Sequence, residues 1–432
     1  MIGEFERPVR RRAGQDRALR RYLTTRVAPY SAHYRDILLR TPVHGVADLE
    51  RLPFATLDDA PDAESIVLRP SADRIVSAGD LRLKVRFWSA RFWHRVSTFN
   101  RTEIEPAFKP IHWHLASTSG GRVLPIGYSA DDLDRLGEVG RSMLEMAGVE
   151  PLDVLVAIEP PSPTPAFWQI AFGARRAGIS SLFVDAGSRP DTLAGFGPHV
   201  LAGRADDLLR MLDRGRAEGL SFATLRTLIV IGAPLDPVVR DRLAHLGGSA
   251  SRPAAVVAAW APEGTRAVWA ECRNGTDVHT WPAYEVLELV DPVTGEQVPP
   301  GSEGEVVYTP LGWNGSVLLR LRTGVVGCLD DTPCVSCGRT SPRVRVVAST
   351  PPFSRILDEH ADVEAWQAEL RLVDDAEELI VFITPRRSGH PGRLLRELDR
   401  QLSATQFVVL DRAQLAERLE RHGGAKVVDL RG

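Results

Sequence analysis

Lysine is nearly missing from this sequence. Of 53 basic side chains only Lys84, Lys109 and Lys426 are lysines, and the rest are arginines. The two cations differ in shape and hydrogen-bonding geometry, so each remaining lysine invites a specific reason. Cysteine is scarce too, with four in 432 residues. That excludes a disulfide-stapled secreted scaffold and predicts reduced thiols in a cytoplasm. No apolar run approaches the ~20 residues of a membrane span. The opening Met1-Ile2-Gly3-Glu4-Phe5-Glu6 lacks the apolar core of a signal peptide. A dominant charge is also absent. The formal net charge is −3, so nothing global favours a nucleic acid or a membrane as partner. What is present is an ordinary globular composition and a length suited to one large domain and one small one.

Residues 7–40 are arginine-rich, with Leu19, Tyr22, Leu23 and Val27 at helical spacing. A basic nucleic-acid arm and a helix with a solvated face both fit the charge. The apolar stripe favours the helix, because a stripe needs a core to dock on. Phe87, Trp88, Phe92, Trp93 and Phe99 read as core packing ahead of a pocket wall. Residues 111–115 read as a strand with His112 and His114 on one face. It runs into Ala116-Ser117-Thr118-Ser119-Gly120-Gly121-Arg122. Small hydroxyls, two glycines and a cation after a strand can cradle phosphate. The pattern is not a Walker loop, and a polar hairpin turn uses the same residues.

From 150 to 260 strands alternate with helices. The strands cover 154–158, 181–184, 228–231 and 254–258. The helices cover 167–177, 205–218 and 237–246, the last capped by Asp236. Continuous apolar strands between helices predict a parallel, doubly wound α/β sheet. Ligands bind such sheets at the carboxyl ends of strands. Gly232-Ala233-Pro234 and Trp260-Ala261-Pro262-Glu263 fall at two such ends.

Further on, Cys334-Val335-Ser336-Cys337-Gly338 has the spacing of a knuckle turn that points both sulfurs one way. Cys272 and His279 offer a second ligand pair, with Cys328 as a substitute. A tetrahedral Zn²⁺ would staple the two segments with S and N ligands at ~2.0–2.3 Å. A site closed by four protein ligands is structural; four thiols without metal is the alternative. Residues 343–347 read as a strand and 349–354 as a hinge containing prolines. Residues 355–432 read as a small α+β domain, with strands over 377–384 and 407–410 and helices over 392–402 and 413–421.

Taken in order, these pieces resemble the phenylacetate–CoA ligase-like branch of the adenylate-forming enzymes. The matching segments are Leu52-Pro53-Phe54, Gly127-Tyr128-Ser129, Glu263, Glu271-Cys272, His279, Asp291-Pro292-Val293-Thr294-Gly295-Glu296, Gly304-Glu305, Arg320-Leu321-Arg322-Thr323-Gly324 and the stretch from Cys334 to Thr340. The resemblance implies an α/β N-terminal domain over 1–348 with a helical start (1–60), antiparallel hairpins and a zinc knuckle (272–340). A C-terminal α+β lid over 355–432 would follow. It implies ATP-dependent activation of an aromatic or other small carboxylate to an acyl-adenylate, then transfer to coenzyme A or another thiol. Ser117, Thr118, Ser119, Gly120, Gly121 and Arg122 would form the phosphate loop. Gly232, Ala233, Trp260 and Arg322 would line the nucleotide site, Glu263 would hold Mg²⁺, and Lys426 would be the lid cation. The expected partners are a small carboxylate and a nucleotide, and a homodimer is compatible. Several positions depart from the pattern. Trp-Ala-Pro-Glu replaces aromatic-Gly-x-Thr-Glu, Val325 replaces the ribose-anchoring aspartate, the loop is altered and the Gly-Arg-x-Asp-Asp hinge is missing. The family's adenylating lysine aligns with Gly424, one slip away from Lys426. These departures keep open a second outcome, a zinc-stabilised homologue that binds a ligand or partner without turnover.

Overall fold

The computed structural model describes residues 4–78, 81, 84–85, 88, 107–118, 122–159, 164–232, 234–248, 252–299, 301–349, 357, 360, 362–373, 376–386, 391–401, 406–421 and 427–430. Ser119, Gly120, Gly121, Ala233 and Lys426 lie outside these residues, as do Phe87, Phe92, Trp93, Phe99 and residues 350–354 of the hinge. The chain divides into two compact units. One is Met1–Ala116 with Pro125–Ser349, and the other is Ser117–Leu124 with Thr350–Gly432.

In the first unit the arginine-rich start is a docked helix, Pro8–Tyr22, with proline in its first turn, where a missing N–H costs nothing. Its stripe of Leu19 and Tyr22, with Leu23 and Val27 beyond, is buried among Val286, Leu311, Val317 and Leu319. Arg11 is drawn in as well and pairs with Asp331 at 2.8 Å. The Gln15 amide donates to the carbonyls of Pro282 (3.2 Å) and Glu285 (3.0 Å). The Tyr22 hydroxyl donates to the carbonyl of Trp313, and the Tyr34 hydroxyl accepts from Leu319 N–H at 2.8 Å. The Leu52-Pro53-Phe54 segment is pinned by Arg320. That guanidinium donates to Leu52 O at 2.6 Å, pairs with Glu288 at 3.0 Å, and lies 4.1 Å from the Phe54 ring centroid. A buried arginine with a carboxylate partner and carbonyl acceptors leaves little of its charge unmatched.

Strands β1 (His112–Ser117) and β2 (Val123–Tyr128) form a hairpin. Next come β3 (Val154–Glu159), β4 (Ser180–Asp185), β5 (Val200–Gly203), β6 (Thr227–Ile231) and β7 (Ala255–Trp260). They are followed by β8 (Trp269–Glu271), β9 (Val278–His279), β10 (Glu285–Val290), β11 (Gly304–Pro310), β12 (Leu321–Asp330) and β13 (Arg343–Ser349). From β3 onward they make one eleven-stranded sheet in the order β10-β11-β12-β13-β9-β8-β7-β6-β5-β3-β4. The α/β pattern read from the sequence accounts for β3, β4, β6 and β7 of the parallel half, β4-β3-β5-β6-β7, whereas β5, only four residues long, is not among the strands it gives. The antiparallel strands extend that sheet through the short β8 and β9. From β3 the chain steps to β4 on one side and then crosses to β5 on the other. The order therefore reverses beside β3, the kind of switch point where α/β sheets open a crevice.

The second unit has β14 (Val363–Val373), β15 (Ala376–Pro385), β16 (Gln406–Val409) and β17 (Val427–Leu430). β14 and β15 are antiparallel, and the order is β16-β15-β14-β17. Trp366, Val381 and Ile383 pack there with Leu394 and Leu398 of the helix Pro391–Gln401. Among the described residues no helix is long and apolar enough to cross a membrane.

Candidate functional site

A cavity of about 470 Å³ opens at the carboxyl ends of β3, β6 and β7. Thr164, Pro165 and Trp168 reach it from the segment after β3, Gly232 from the end of β6, and Trp260 to Thr265 from the end of β7. β1 and β2 contribute His112, His114, Ile126 and Tyr128. Gly232 sits at φ +119 with open space around it. Backbone conformation, then, is the reason for glycine at that turn. Trp260 is buried and meets Trp269 edge-on at 5.7 Å, while Glu263 is exposed at the cavity.

The wall behind the cavity is held by polar pairs that apolar periodicity does not reveal. Gln169, fully buried on the helix Pro165–Ala177, exchanges two hydrogen bonds with the backbone of Val268, at 3.1 and 2.8 Å. Glu285 accepts from Trp269 Nε1 (2.9 Å) and Trp281 N–H (2.8 Å). Burial nevertheless raises its carboxyl to about 8 despite those bonds. Arg266 is buried with its guanidinium 3.8 Å from the Tyr128 ring centroid.

The imidazoles of His112 and His114 sit side by side, ring centroids 4.8 Å apart. His112 meets Trp168 edge-on at 4.8 Å and His114 meets Tyr128 at 4.7 Å. His112 Nε2 and both nitrogens of His114 are buried without a hydrogen-bond partner among the described residues. Burial, then His112 and Arg266, holds His114 down to about 3, and burial lowers His112. The strand reading had placed these two on one face. Sequence reasoning gave them no role, since two histidines in a strand carry no signature until the partners of their nitrogens are known.

The remaining candidates scatter. Ser117 and Arg122 are exposed at the tip of the hairpin and Thr118 is buried, with Thr118 N–H donating to Arg122 O at 2.8 Å. Arg322 is not among the cavity's lining residues. Glu305 on the neighbouring strand takes its guanidinium at 2.8 Å, and Pro292 O accepts at 2.6 Å. Val325 is buried on β12 opposite Ser349 of β13.

The four proposed zinc ligands do come together. The ligand atoms of Cys272, His279, Cys334 and Cys337 all lie within 4.8 Å of one another. Bonds of ~2.0–2.3 Å to a tetrahedral ion imply edges of roughly 3.3–3.8 Å. Cys272 Sγ is 3.9 Å from Cys334 Sγ, and Cys337 Sγ is 3.5 Å from His279 Nε2. His279 Nδ1 faces Ser341 Oγ at 3.0 Å, an outer contact that orients the ring so that Nε2 meets the thiols. Gly338, at φ +71, closes the turn by donating to Cys334 O at 2.8 Å. Cys328 stands on β12 opposite Arg345 and is not one of the four. The start of the chain straps the knuckle: Thr340 N–H donates to Glu4 O, the Thr340 hydroxyl to Glu6 O, and Arg339 pairs with Glu4.

No family model matches the chain. It is 27% identical over 236 residues to a phenylacetate-coenzyme A ligase of Thermus thermophilus, covering 54% of this chain and 52% of that one. A phenylacetate-coenzyme A ligase of Pseudomonas putida is 23% identical over 224 residues, covering 50% of each. The chain thus spans about half the length of the curated relatives it matches. A 2-hydroxyisobutyryl-CoA ligase solved with 2-HIB-AMP and CoA superposes with a TM-score of 0.65 at 17% identity, covering 99% of this chain and 91% of that one. The likeness carried by the motifs is therefore present in sequence, and the chain has the fold of the adenylate-forming CoA ligases.

Proposed function

We propose that this protein activates a small carboxylic acid with ATP. The substrate carboxylate oxygen attacks the α-phosphorus, the bond to the leaving pyrophosphate breaks, and an acyl-adenylate forms. The thiolate of coenzyme A, or of another thiol, then attacks the acyl carbon and AMP leaves. The observation that carries this reading is the convergence of Gly232, Trp260 and Glu263 on one cavity at strand carboxyl ends. Those are the segments that match the family's nucleotide motifs. The protein's work in such a reaction is orientation and charge neutralisation around phosphorus. Trp260 and Gly232 would bound the nucleotide, Ser117, Thr118 and Arg122 would hold phosphate oxygens, and Lys426 would neutralise charge at the α-phosphate. Glu263, an exposed carboxylate, suits Mg²⁺, a hard cation that takes oxygen ligands.

The Cys₃His cluster fits Zn²⁺ in donor type, number and spacing. With four protein ligands it would leave no open position, so its role in this reading is to hold β8, β9 and the knuckle together. All four cysteines are unpaired, in keeping with a reducing cytoplasm.

One observation favours the second reading, a degenerate homologue that binds without turnover. Val325, buried on β12, offers no carboxylate to a ribose. Loss of a charge-assisted hydrogen bond costs about 1.5–3 kcal/mol, which weakens a nucleotide without forbidding it. ATP–pyrophosphate exchange with a mixed library of carboxylates separates the two. Carboxylate-dependent exchange establishes adenylation. Folded, metal-replete protein that exchanges with no acid, and whose melting temperature magnesium-ATP does not raise, would leave only the second reading.

A further inference from the structure

The cavity contains more hydrogen-bonding capacity than its own residues use. Three imidazole nitrogens, His112 Nε2 and His114 Nδ1 and Nε2, are buried without a partner among the described residues. Both rings line the cavity, and His114 is only 4% exposed. Buried polar atoms are ordinarily matched, and an unmatched one in a cavity wall points to a ligand group that matches it. The surrounding surface is aromatic. Trp168 and Tyr128 stand edge-on to the two histidines, and Trp260 lines the same cavity. Such walls suit a flat ring.

The charge state narrows the choice. Burial lowers both histidines, so both rings are neutral near pH 7. A neutral imidazole has one N–H donor and one bare nitrogen acceptor. Two such rings side by side suit a group that can give one hydrogen bond and take another. A hydroxyl does both. A second carboxylate would find no cation in these rings, and an ether oxygen could only accept. An unsubstituted hydrocarbon ring would take the nitrogens out of water and give nothing in exchange.

We infer that the acyl substrate is a hydroxyaryl carboxylic acid, and that His112 and His114 bind its hydroxyl. This rests on the reading of the cavity as the acyl site. The two histidines would bind and orient the substrate, leaving the chemistry at the carboxylate to other residues.

The test is calorimetric binding to the full, metal-replete chain, run beside ATP–pyrophosphate exchange on the same acids. The panel pairs benzoic and phenylacetic acids with their ring-hydroxylated and ring-methoxylated counterparts. Hydroxylated members should bind at least about tenfold more tightly than both the parent and the methoxy acids, since a site built around a hydroxyl discriminates strongly against analogues lacking it. His114→Phe should erase that preference, bringing the hydroxylated acids to the affinity of their unsubstituted and methoxylated counterparts. A histidine that merely packs would leave the preference intact. If His114→Phe does not fold, His112→Phe, at a half-buried position, carries the same comparison. Equal or weaker binding of the hydroxylated acids overturns the inference, as does binding of none of the panel or a preference that survives both substitutions. A preference in binding with no exchange would keep this inference and remove adenylation. Exchange without preference would do the reverse.

Discussion

His279 and His114 are alike in several ways. Both are buried on strands of the first unit, and both are held neutral, His279 down to about 4 and His114 to about 3, chiefly by burial. Their surroundings differ. The nitrogens of His279 face Ser341 Oγ at 3.0 Å and Cys337 Sγ at 3.5 Å, whereas neither nitrogen of His114 has a partner among the described residues. The cluster around His279 is complete in its own side chains and asks only for an ion. The cavity around His114 is complete only with an organic ligand. A satisfied polar group rigidifies a fold, and an unsatisfied one destabilises it until something binds. Damage to the first region should therefore appear in stability, and damage to the second in selectivity or turnover.

The largest expected effect breaks the cluster. Protein purified without chelator should contain near-stoichiometric zinc. Cys334→Ser should lose the metal and at least about 4 kcal/mol of stability, the linkage expected of a ligand at a thousand times its Kd. A metal-replete and equally stable variant would remove zinc from the account. Glu285 lies between the two extremes, hydrogen-bonded but without a counter-charge. Its folded carboxyl is raised to about 8, against about 4.3 unfolded. The folded chain thus keeps a proton that the unfolded chain releases. That contribution is fully present below about pH 4 and is lost as pH rises through about 8. Glu285→Gln keeps an acceptor for Trp269 and Trp281. It should leave stability unchanged near pH 4 and raise it by about 2–4 kcal/mol at pH 8 in urea titrations. A difference that does not grow with pH would refute the buried-charge account.

On the catalytic side, Lys426→Ala and Lys426→Arg should both slow adenylate formation by about two orders of magnitude, roughly 2.7 kcal/mol. Nucleotide affinity and melting temperature should barely move. Arginine's planar fork is a poor substitute for a point charge. Full activity in the alanine variant would take Lys426 out of the mechanism. The smallest effect comes from restoring what Val325 lacks. Val325→Asp should tighten ATP by about 1–3 kcal/mol in calorimetry. Val325 is buried, so the free variant should also melt earlier. Unchanged affinity would favour the non-catalytic reading.

Legibility in the sequence followed the range of the interactions. The β-α alternation was readable because buried parallel strands are apolar throughout. The cap of the helix Pro237–Leu246 was readable because Asp236 accepts from the N–H groups of Val238 and Val239 just beyond it. The Cys₃His cluster was readable because Cys-x2-Cys spacing is itself the geometry of its knuckle. By contrast, β14 (Val-Glu-Ala-Trp-Gln-Ala-Glu-Leu-Arg-Leu-Val) escaped notice. Its glutamates and leucines favour helix, and its buried Glu369 is matched by Arg371 and by Arg418 from a distant helix. The extension of the sheet past β7 also escaped, because β8 and β9 have three and two residues, too few to carry a period. The pairing of Arg322 with Glu305 on the adjacent strand also lay beyond the sequence, since it depends on the register of two strands. The histidine pair was visible as residues, but its lack of partners is a three-dimensional fact.

The docking of the first helix has a consequence for synthesis. Its partners are Pro282, Glu285, Trp313 and Asp331, and Glu4 and Glu6 bind Thr340. The helix is therefore made well before the segments it is seated among. At ~5–20 residues per second, Leu19, Tyr22, Leu23 and Val27 wait on the order of fifteen to sixty seconds for the segments that cover them. During that interval an apolar stripe is held on a highly cationic helix, whose arginines oppose self-association until the C-terminal half of the sheet emerges.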